Sequence, residues 1–548
     1  NPKMMLFSDR TYSFAFLLLL LLVLLLPAAA TAARFQTRLT ADVGDVSVSF
    51  GLVLPQANTV QEDAALRAPP GAYDQGTMVV AMLPSLQAKT AEYEVYTVNS
   101  TGSIPYFLRA NATASSSGAP QEEEEGEEGE GAQQGMCLYR WTTADFKSYG
   151  GGKNCLLWVG KSGLSDIKTL ARDDDTGKYY LLYWSLHGIG RLYTSTTAGQ
   201  KWVGPRTVSF AKPPKATNLH PKDDINFVWQ KGVGLVNMQI FWERNLPATP
   251  GGYCDNGGCD SRRVIGSMTT TDGVDAGLSW SYTGSHRFPS AAEQDPPELQ
   301  FYRIRPFVMP GTQGARVFAH TLLYAPSPWI NKEYGRQPSL CQSGADAHNC
   351  HGPHMYEEWW TLKRGASPAD VTAKSWRRPA RFTKMAPENA YLFAQPGVTG
   401  TGAATKMAWV GSGAVYTLPL HRGVGIYAPA NARVKVQPAF NLEGATPHTQ
   451  LFLNADAKWG AKLPAGGCDE TCAAYVLAEL LDGQGKTIKG YDHKSFDAIM
   501  DQDGINLPLT WNGSARLPTN QKSIVVKLWF RAAKVYAVYL GDQFEPGT

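Results

Sequence analysis

The chain has 548 residues, and its 51 lysines and arginines nearly balance its 48 aspartates and glutamates, for a formal net charge of +3. This length accommodates two or three domains with a large core, so stability requires neither a metal nor oligomerisation, and the oligomeric state is not indicated. Because the basic residues are scattered along the chain, the charge pattern excludes an extended nucleic-acid surface.

The N-terminal sequence predicts export from the cell. Residues 14–26 form an unbroken apolar run, which is followed by Pro27 and by the small residues 28–33. This is the pattern of a signal peptide, with cleavage near Ala32. The alternative is an uncleaved signal anchor, because the apolar run approaches the roughly 20 residues that span a bilayer. We expect a secreted protein that has no membrane contact after signal cleavage.

A short pattern of a strand, a polar turn and an aromatic residue recurs four times. The copies are Tyr139–Asp145, Leu192–Trp202, Gly266–Gly273 with Trp280, and Glu358–Lys363 with Trp376. Segments rich in β-branched and aromatic residues lie between the copies. A period of roughly 50 to 90 residues built from such strands is typical of β-propeller blades. We predict five blades, at residues 70–150, 153–205, 218–285, 298–380 and 388–428.

Two segments differ from this pattern. Residues 114–134 are rich in glutamate and almost free of apolar side chains, which predicts a disordered, solvated insertion rather than a preorganised site for Ca²⁺ or a basic partner. From residue 430 onward, alternating segments broken by tight glycine turns predict a β-sandwich. The predicted fold is therefore all-β, with a signal peptide at 1–33, a five-bladed β-propeller at 34–429 and a β-sandwich at 430–548.

The eight cysteines form four sequence-local pairs. In an exported protein such pairs predict loop-closing disulfides, and none has the CxxC spacing of a structural zinc site. The predicted disulfides are Cys137–Cys155, Cys254–Cys259, Cys341–Cys350 and Cys468–Cys472. N-glycosylation sequons stand at Asn99, Asn111 and Asn512. We expect no metal and no cofactor.

Five segments together carry a family resemblance: Arg172–Tyr180, Asp223–Asn226, Asp295–Tyr302, Leu480–Ile488 and Leu528–Tyr536. They resemble the five-bladed β-propeller clan of glycoside hydrolases that includes the invertase-like family 32, the arabinanase-like family 43 and sialidase-like relatives, in a secreted subgroup with a C-terminal β-sandwich. The resemblance covers most of residues 60–542 and implies hydrolysis of glycosidic bonds. The invertase family's Trp-Met-Asn-Asp-Pro-Asn-Gly and Glu-Cys motifs are absent from this chain.

Glycosidic hydrolysis uses two carboxyl groups that face each other across the sugar. In a propeller these groups come from inner strands of different blades, and Asp224, Glu298 and Asp173 meet that condition as predicted catalytic residues. Apolar, tyrosine-lined surroundings of Glu298 would raise its pKa, as a general acid requires. The alternative for Asp224 and Asp173 is a structural role in turns, where aspartate is common.

The predicted substrate-binding residues are Asn226, Tyr302, Arg303, Arg305, His354, Glu357 and Trp360. Asn226 follows Asp224 by two positions, which places both on one face of an extended strand. The two arginines are predicted to share a strand face with Phe301 and suit a carboxylated sugar, with ordinary ion pairing as the alternative. His354 and Glu357 are expected at the propeller mouth, with a divalent-cation site as the alternative.

The sequence therefore predicts a secreted glycoside hydrolase that acts on an extracellular polysaccharide or oligosaccharide. Phosphate-loop, GxSxG and HExxH motifs are absent, which weighs against nucleotide-binding, serine hydrolase and zinc protease functions. The alternatives are a noncatalytic, lectin-like carbohydrate-binding propeller and an extracellular protein-interaction scaffold.

Overall fold

The structure is a computed structural model, and it describes a large part of the chain. The described residues are 35–41, 45–69, 77–85, 92–99, 136–152, 154–159, 164–185, 190–197, 200–210, 219–230, 234–243, 262–270, 279–282, 300–312, 317–324, 355–366, 375–379, 385–387, 392, 395–411, 413–458 and 474–544. The predicted signal peptide, the acidic insertion, Asn111, Glu298 and His354 lie outside these ranges. For Asn99, Asp224, Asn226 and Tyr302, the backbone alone is described.

The described chain is almost entirely β-structure, with one 3₁₀ turn at Gly402–Ala404. The strands are β1 (Gln36–Leu39), β2 (Val46–Phe50), β3 (Leu54–Ala57), β4 (Gln61–Glu62), β5 (Thr77–Pro84), β6 (Tyr93–Asn99), β7 (Met136–Thr143), β8 (Gly150–Gly151), β9 (Leu157–Val159), β10 (Leu164–Arg172), β11 (Tyr179–Ser185), β12 (Gly190–Ser195), β13 (Trp202–Phe210), β14 (Leu219–Gln230), β15 (Gly234–Glu243), β16 (Arg262–Thr270), β17 (Ser279–Tyr282), β18 (Gln300–Val308), β19 (Val317–Tyr324), β20 (Met355–Leu362), β21 (Trp376–Arg377), β22 (Gly397–Thr399), β23 (Lys406–Val410), β24 (Val415–Pro419), β25 (Val424–Ala428), β26 (Ala432–Val436), β27 (Phe440–Asn441), β28 (Gln450–Asp456), β29 (Tyr475–Leu481), β30 (Ile499–Met500), β31 (Asp503–Pro508), β32 (Ser523–Arg531) and β33 (Ala533–Gly541).

Five antiparallel meanders follow one another along the chain. Sheet I has the order β5-β6-β7-β8 with β9 on β7, sheet II is β10-β11-β12-β13, sheet III is β14-β15-β16-β17, sheet IV is β18-β19-β20-β21 and sheet V is β22-β23-β24-β4. Sheets II and III are joined by parallel pairing of β13 with β17. The first strands are neighbours, since β10 contacts β5 and β14, β14 contacts β18, and β22 contacts β5. Each predicted blade segment overlaps one of these sheets.

The recurring sequence pattern marks the same place in four sheets. It lies on the third strand, namely β7, β12, β16 or β20. In sheets II and IV the aromatic residue opens the fourth strand, where Trp202 and Trp376 are buried. Burial of a large apolar side chain contributes about 1.5–3 kcal/mol to the stability of the fold. The repeat therefore encodes a packing position.

Two six-stranded sheets contain all the remaining described strands. Sheet VI has the order β3-β25-β33-β28-β31 with β1 on β33, and sheet VII has the order β2-β26-β32-β29-β30 with β27 on β32. Along β32 half-buried and buried residues alternate, so one face of the strand is turned inward. Val526 and Phe530 from sheet VII share one hydrophobic core with Leu453 and Val538 from sheet VI.

The N-terminal strands depart from the predicted domain boundaries. Residues 36–57 were assigned to the first domain, but β1 pairs with β33, β2 with β26, and β3 with β25. Strand β25, expected in the fifth blade, pairs with β33 as well. Only β4 continues into the meanders, where it pairs with β24 as the last strand of sheet V. Local pattern indicates that these segments are strands, but it does not encode their distant partners.

Two further predictions are tested by the described residues. The disulfide Cys137–Cys155 is present, with a Cα–Cα distance of 5.5 Å, and it joins β7 to the segment before β9. The other six cysteines lie outside the described ranges. Among the residues that are described, no helix is long and apolar enough to cross a membrane.

Candidate functional site

The first strands of sheets I to IV share an interruption in their pairing with the second strand. In its first half, each loses register with the second strand. The pairing skips Val80 in β5, residues 165–167 in β10, residues 222–224 in β14 and Tyr302 in β18. Residues outside the ladder change the direction of the chain and of their side chains, and bulges are frequent beside active sites. We call these four segments the bulge series.

Carboxyl-bearing residues occupy two members of the bulge series. Asp224 and its neighbour Asp223 lie in the skipped segment of β14, and Asp166 lies in the skipped segment of β10. The topology thus places aspartates at matching positions of adjacent first strands. Sequence reasoning missed Asp166 because the surrounding segment has an ordinary strand pattern. An aspartate inside a strand is itself unusual, and that was the available signal.

The irregularity in β14 also changes the relation between Asp224 and Asn226. Regular pairing resumes at Ile225, opposite Gln239, and Asn226 is opposite Met238. Because Asp224 lies in the unpaired segment, the period-two rule that was used to place both residues on one face applies only from Ile225 onward. The two residues remain close along the backbone, and Asn226 belongs to the regular ladder.

The bulge at Tyr302 corrects the predicted faces of β18. Phe301 was expected to share a face with Arg303 and Arg305, but the pairing shifts by one residue between Phe301 and Arg303. Phe301 and Ile304 consequently pack in the same hydrophobic cluster. The extra residue reverses the alternation, so the arginines lie on the opposite face of the sheet.

Arg303 binds a carboxylate of this chain. Its Nη2 lies 3.2 Å from Oε1 of Glu357 and donates a hydrogen bond of 3.0 Å to the carbonyl oxygen of Leu392. The backbone N–H of Leu392 donates to the same Glu357 oxygen at 3.0 Å. Both side chains are buried, as is Arg305. The ion pair therefore connects residue 392 to sheet IV at Arg303, the residue that follows the Tyr302 bulge.

Trp360 lies in the hydrophobic core on the other face of sheet IV. It is 0% exposed and packs edge-on against Phe301, with ring centroids 5.5 Å apart. Arg378 lies over its ring and donates two hydrogen bonds to Glu358, of 2.7 and 2.9 Å. Trp359 is likewise 1% exposed. Neither indole offers an open face to a sugar ring in this structure.

The carboxylate of Asp173 closes the turn between β10 and β11. It accepts hydrogen bonds from the backbone N–H groups of Asp175 and Thr176, at 2.9 and 3.2 Å, and from the Thr176 hydroxyl at 2.5 Å. Gly177 follows with φ of 71°, a conformation that favours glycine. At about 3.3 Å per residue, the length of β10 separates Asp173 from Asp166 by on the order of 20 Å. The structure therefore does not bring Asp173 to the bulge series.

A second buried polar cluster joins sheets I and II. Glu94, which is 0% exposed, accepts hydrogen bonds of 2.8 Å each from Tyr96, Tyr179 and Arg140. Burial and the neighbouring Glu94 charge raise the pKa of Tyr96 above its ordinary value, so its hydroxyl remains a donor. Arg172 lies over the Tyr179 ring at 5.7 Å. This network, in which only Arg140 is partly exposed, connects the two sheets, and sequence reasoning did not predict it.

Comparisons with known proteins identify no relative by sequence, since neither a protein family nor a curated protein matches. A solved structure from Dyadobacter fermentans, described as a protein of unknown function, aligns at 9% identity and TM-score 0.31 over 71% of this chain and 95% of that one. Fructan 1-exohydrolase IIa from Cichorium intybus aligns at 8% identity and TM-score 0.29 over 88% and 97%. The family 93 α-L-arabinofuranosidase of Fusarium graminearum aligns at 10% identity and TM-score 0.30 over 69% and 93%. Scores at this level assign neither a fold nor an activity.

Proposed function

We propose that sheets I to V are the blades of a five-bladed β-propeller and that sheets VI and VII form a β-sandwich. The adjacency of the first strands, the repeated four-stranded meander and the closure of sheet V by β4 from the N-terminal side support the propeller. In such a fold, the first strands surround the axis and run in the same direction. The bulge series then encircles one end of the axis.

The activity that this arrangement favours is glycoside hydrolysis. The observation that carries the proposal is the placement of Asp166 and Asp224 in the out-of-register segments of adjacent first strands. Glu298 stands two residues before β18 in the sequence. One carboxyl group would protonate the leaving oxygen, and another would act as nucleophile or base. Asp224 and Glu298 remain the proposed pair, and Asp166 joins them as a third candidate in place of Asp173.

The buried ion pair of Arg303 and Glu357 fits a positioning role in this site. It holds the strand that carries Tyr302, the proposed substrate-binding residue in the bulge of β18. Export to an oxidising compartment is part of the proposal, because the Cys137–Cys155 disulfide is stable there. The substrate class is a polysaccharide or oligosaccharide outside the cell.

The test is hydrolysis of a panel of natural glycans by purified residues 34–548 and by three variants, Asp224→Asn, Glu298→Gln and Asp166→Asn. Loss of at least about 10³-fold in kcat for Asp224→Asn and Glu298→Gln is expected, since both steps of catalysis need the carboxyl groups. Asp497→Asn is the matched control, because its carboxylate lies in an exposed turn between β29 and β31. Glycan binding without hydrolysis would instead identify a lectin-like propeller.

A further inference from the structure

A cleft of about 600 Å³ lies on the outer face of sheet VII, a site to which no function has been assigned above. Its floor is formed by Lys435 of β26 and Val525 of β32, and the turn at 482–485 forms one wall. Residues 437–439, Leu481, the buried Asp45 and Arg364, from the turn after β20, also line it. Clefts that hold small ligands have volumes of about 300–1,000 Å³. The cleft is thus large enough for one or two sugar residues.

Lys435 supplies a positive charge to this cleft. Within the described ranges its ammonium group has no ion pair or hydrogen bond. Its direct neighbour across the strands is Lys527, a second cation on the same face. Lys527 has a carboxylate partner, since its Nζ lies 3.3 Å from Glu479. Like charges directly opposite each other destabilise a sheet, and Glu479 offsets only Lys527 of this pair.

Two arginines lie beside the cleft. Arg38 packs behind Pro438 and Ala439, and its guanidinium donates to both of their carbonyl oxygens, at 2.8 and 2.9 Å. Within the described part of the chain, its hydrogen bonds go to uncharged oxygens. Burial, together with the nearby charge of Arg364, lowers the pKa of Arg38 to about 10. The lining also contains the carboxylates of Asp45 and Asp482. Arg38 and Arg364 balance these two negative charges, so the charge of Lys435 is in excess at the cleft.

The polar groups at the rim are suited to hydroxyl groups. Gln437 and Gln484 carry amides that both donate and accept hydrogen bonds. Asp482 accepts hydrogen bonds from the N–H groups of Gln484 and Lys486, both 2.9 Å, so its carboxylate is fixed within the turn. A site that combines fixed acceptors and amides with one unpaired ammonium group matches a polyhydroxylated ligand with a single anionic substituent.

The sheet continues beyond the cleft as an aromatic surface. Trp529 lies two residues from Lys527, on the same face and about 7 Å farther along β32. The guanidinium of Arg433 lies 3.7 Å from the centre of its ring, and His493 stacks on the indole at 4.1 Å and 16°. Phe50, which is 53% exposed, extends the row over Arg433. Arg433 and His493 therefore cover the indole of Trp529, and Phe50 is the exposed aromatic side chain of this row.

We propose that this cleft binds an acidic sugar residue, whose anionic group lies against Lys435 and whose hydroxyl groups contact the rim. The site is separate from the bulge series and does not depend on hydrolysis. Carboxylate and sulfate groups share the required charge, so the anionic substituent is defined by its chemistry and the two are distinguished by experiment.

Calorimetric titration of purified residues 34–548 tests the proposal, with a glucuronate-containing tetrasaccharide, a sulfated tetrasaccharide and a neutral tetrasaccharide as probes. We expect one acidic probe to bind and Lys435→Gln to weaken its binding at least 10-fold. Lys458→Gln, at an exposed lysine after β28, is the control and should change the affinity less than 2-fold. Preference between the two acidic probes identifies the substituent.

Two further measurements separate this site from the proposed catalytic site. Asp224→Asn should bind the acidic probe with unchanged affinity, even if the chain proves to have no hydrolase activity. Equal binding of the neutral and acidic probes, or an affinity unaffected by Lys435→Gln, would overturn the proposal. So would competition by inorganic sulfate at the same concentration as the saccharide, because the sugar ring would then contribute nothing.

Discussion

The imidazole of His421 and the phenol of Tyr539 meet in a fully buried contact, with Nδ1 3.0 Å from the hydroxyl oxygen. The contact joins the turn after β24 of sheet V to β33 of sheet VI. His421 Nε2 lies 2.5 Å from the carbonyl oxygen of Pro310, so Nε2 carries the proton and Nδ1 accepts from Tyr539. Asn454 donates to the same hydroxyl at 3.1 Å. In the neutral imidazole, both ring nitrogens thus have a hydrogen-bond partner at this interface.

Acidification is expected to destabilise the protein through His421. Burial lowers the pKa of His421 from 6.5 to about 4. Below pH 6.5 the unfolded chain therefore binds a proton that the folded chain does not, and stability falls between pH 6.5 and 4. The loss is on the order of 3 kcal/mol at 1.36 kcal/mol per pKa unit. Urea unfolding from pH 7 to pH 4 measures it.

His421→Asn is the variant that isolates this effect. Residue 421 has φ of 60°, a conformation that asparagine tolerates better than most residues. The variant should be less stable at pH 7 but should lose less stability on acidification. His448→Asn, at an exposed histidine, serves as the control and should keep the slope of the parent protein. An unchanged slope in His421→Asn would show that other groups control the acid response.

Removing the Glu94 carboxylate should be one of the most damaging single changes in sheets I and II. Glu94→Gln leaves Arg140 without its ionic partner and disturbs the two tyrosine hydroxyls, and breaking a buried pair in this way costs about 3–5 kcal/mol. A double-mutant cycle with Arg140→Met, followed by denaturant unfolding, measures the coupling. The double variant should be more stable than Glu94→Gln alone, whereas strictly additive losses would show that the two side chains do not interact.

The Cys137–Cys155 disulfide should contribute mainly by restricting the unfolded chain. Its cysteines are 18 residues apart, and closing a loop of that size stabilises by about 3 kcal/mol in the chain-entropy description. Cys137→Ser combined with Cys155→Ser should lower the Tm by several degrees while leaving the far-ultraviolet circular dichroism unchanged. A Tm equal to that of the oxidised parent would contradict this and would show that the disulfide does not stabilise the folded protein.

Local sequence pattern predicted segments that overlap the five meanders, and it marked the third strand of four of them. It did so because alternation, turn residues and the aromatic residue after the turn are encoded within a few consecutive positions. The partners of β1 to β4 are hundreds of residues away, and pairing at that distance depends on the assembled sheets. The Cys137–Cys155 disulfide was predictable for the same local reason as the meanders.

The candidate site was less accessible to sequence reasoning. Period-two alternation predicts which side chains share a face only while register is kept, and the bulge at Tyr302 reverses the faces of Phe301 and Arg303. Likewise, the aspartate motif around Asp173 stood out by composition, whereas Asp166 stands out only when the pairing of β10 with β11 is known. Positions of broken register are set by the assembled sheet.

Glu357→Gln tests whether the ion pair of Arg303 and Glu357 positions the bulged part of β18. Glu357→Gln keeps the size of the side chain but removes the charge that faces Arg303 and weakens the acceptor for the Leu392 N–H. We expect a stability loss of about 3 kcal/mol, as for other broken buried pairs.

With a substrate from the glycan panel, kcat/KM of Glu357→Gln should fall further than the loss of folded protein alone explains. Arg377→Gln, at a half-buried arginine at the end of β21, is the control for general effects of losing charge in sheet IV. If Glu357→Gln lowers stability yet retains full kcat/KM in the folded fraction, the pair supports the sheet and has no part in positioning the site.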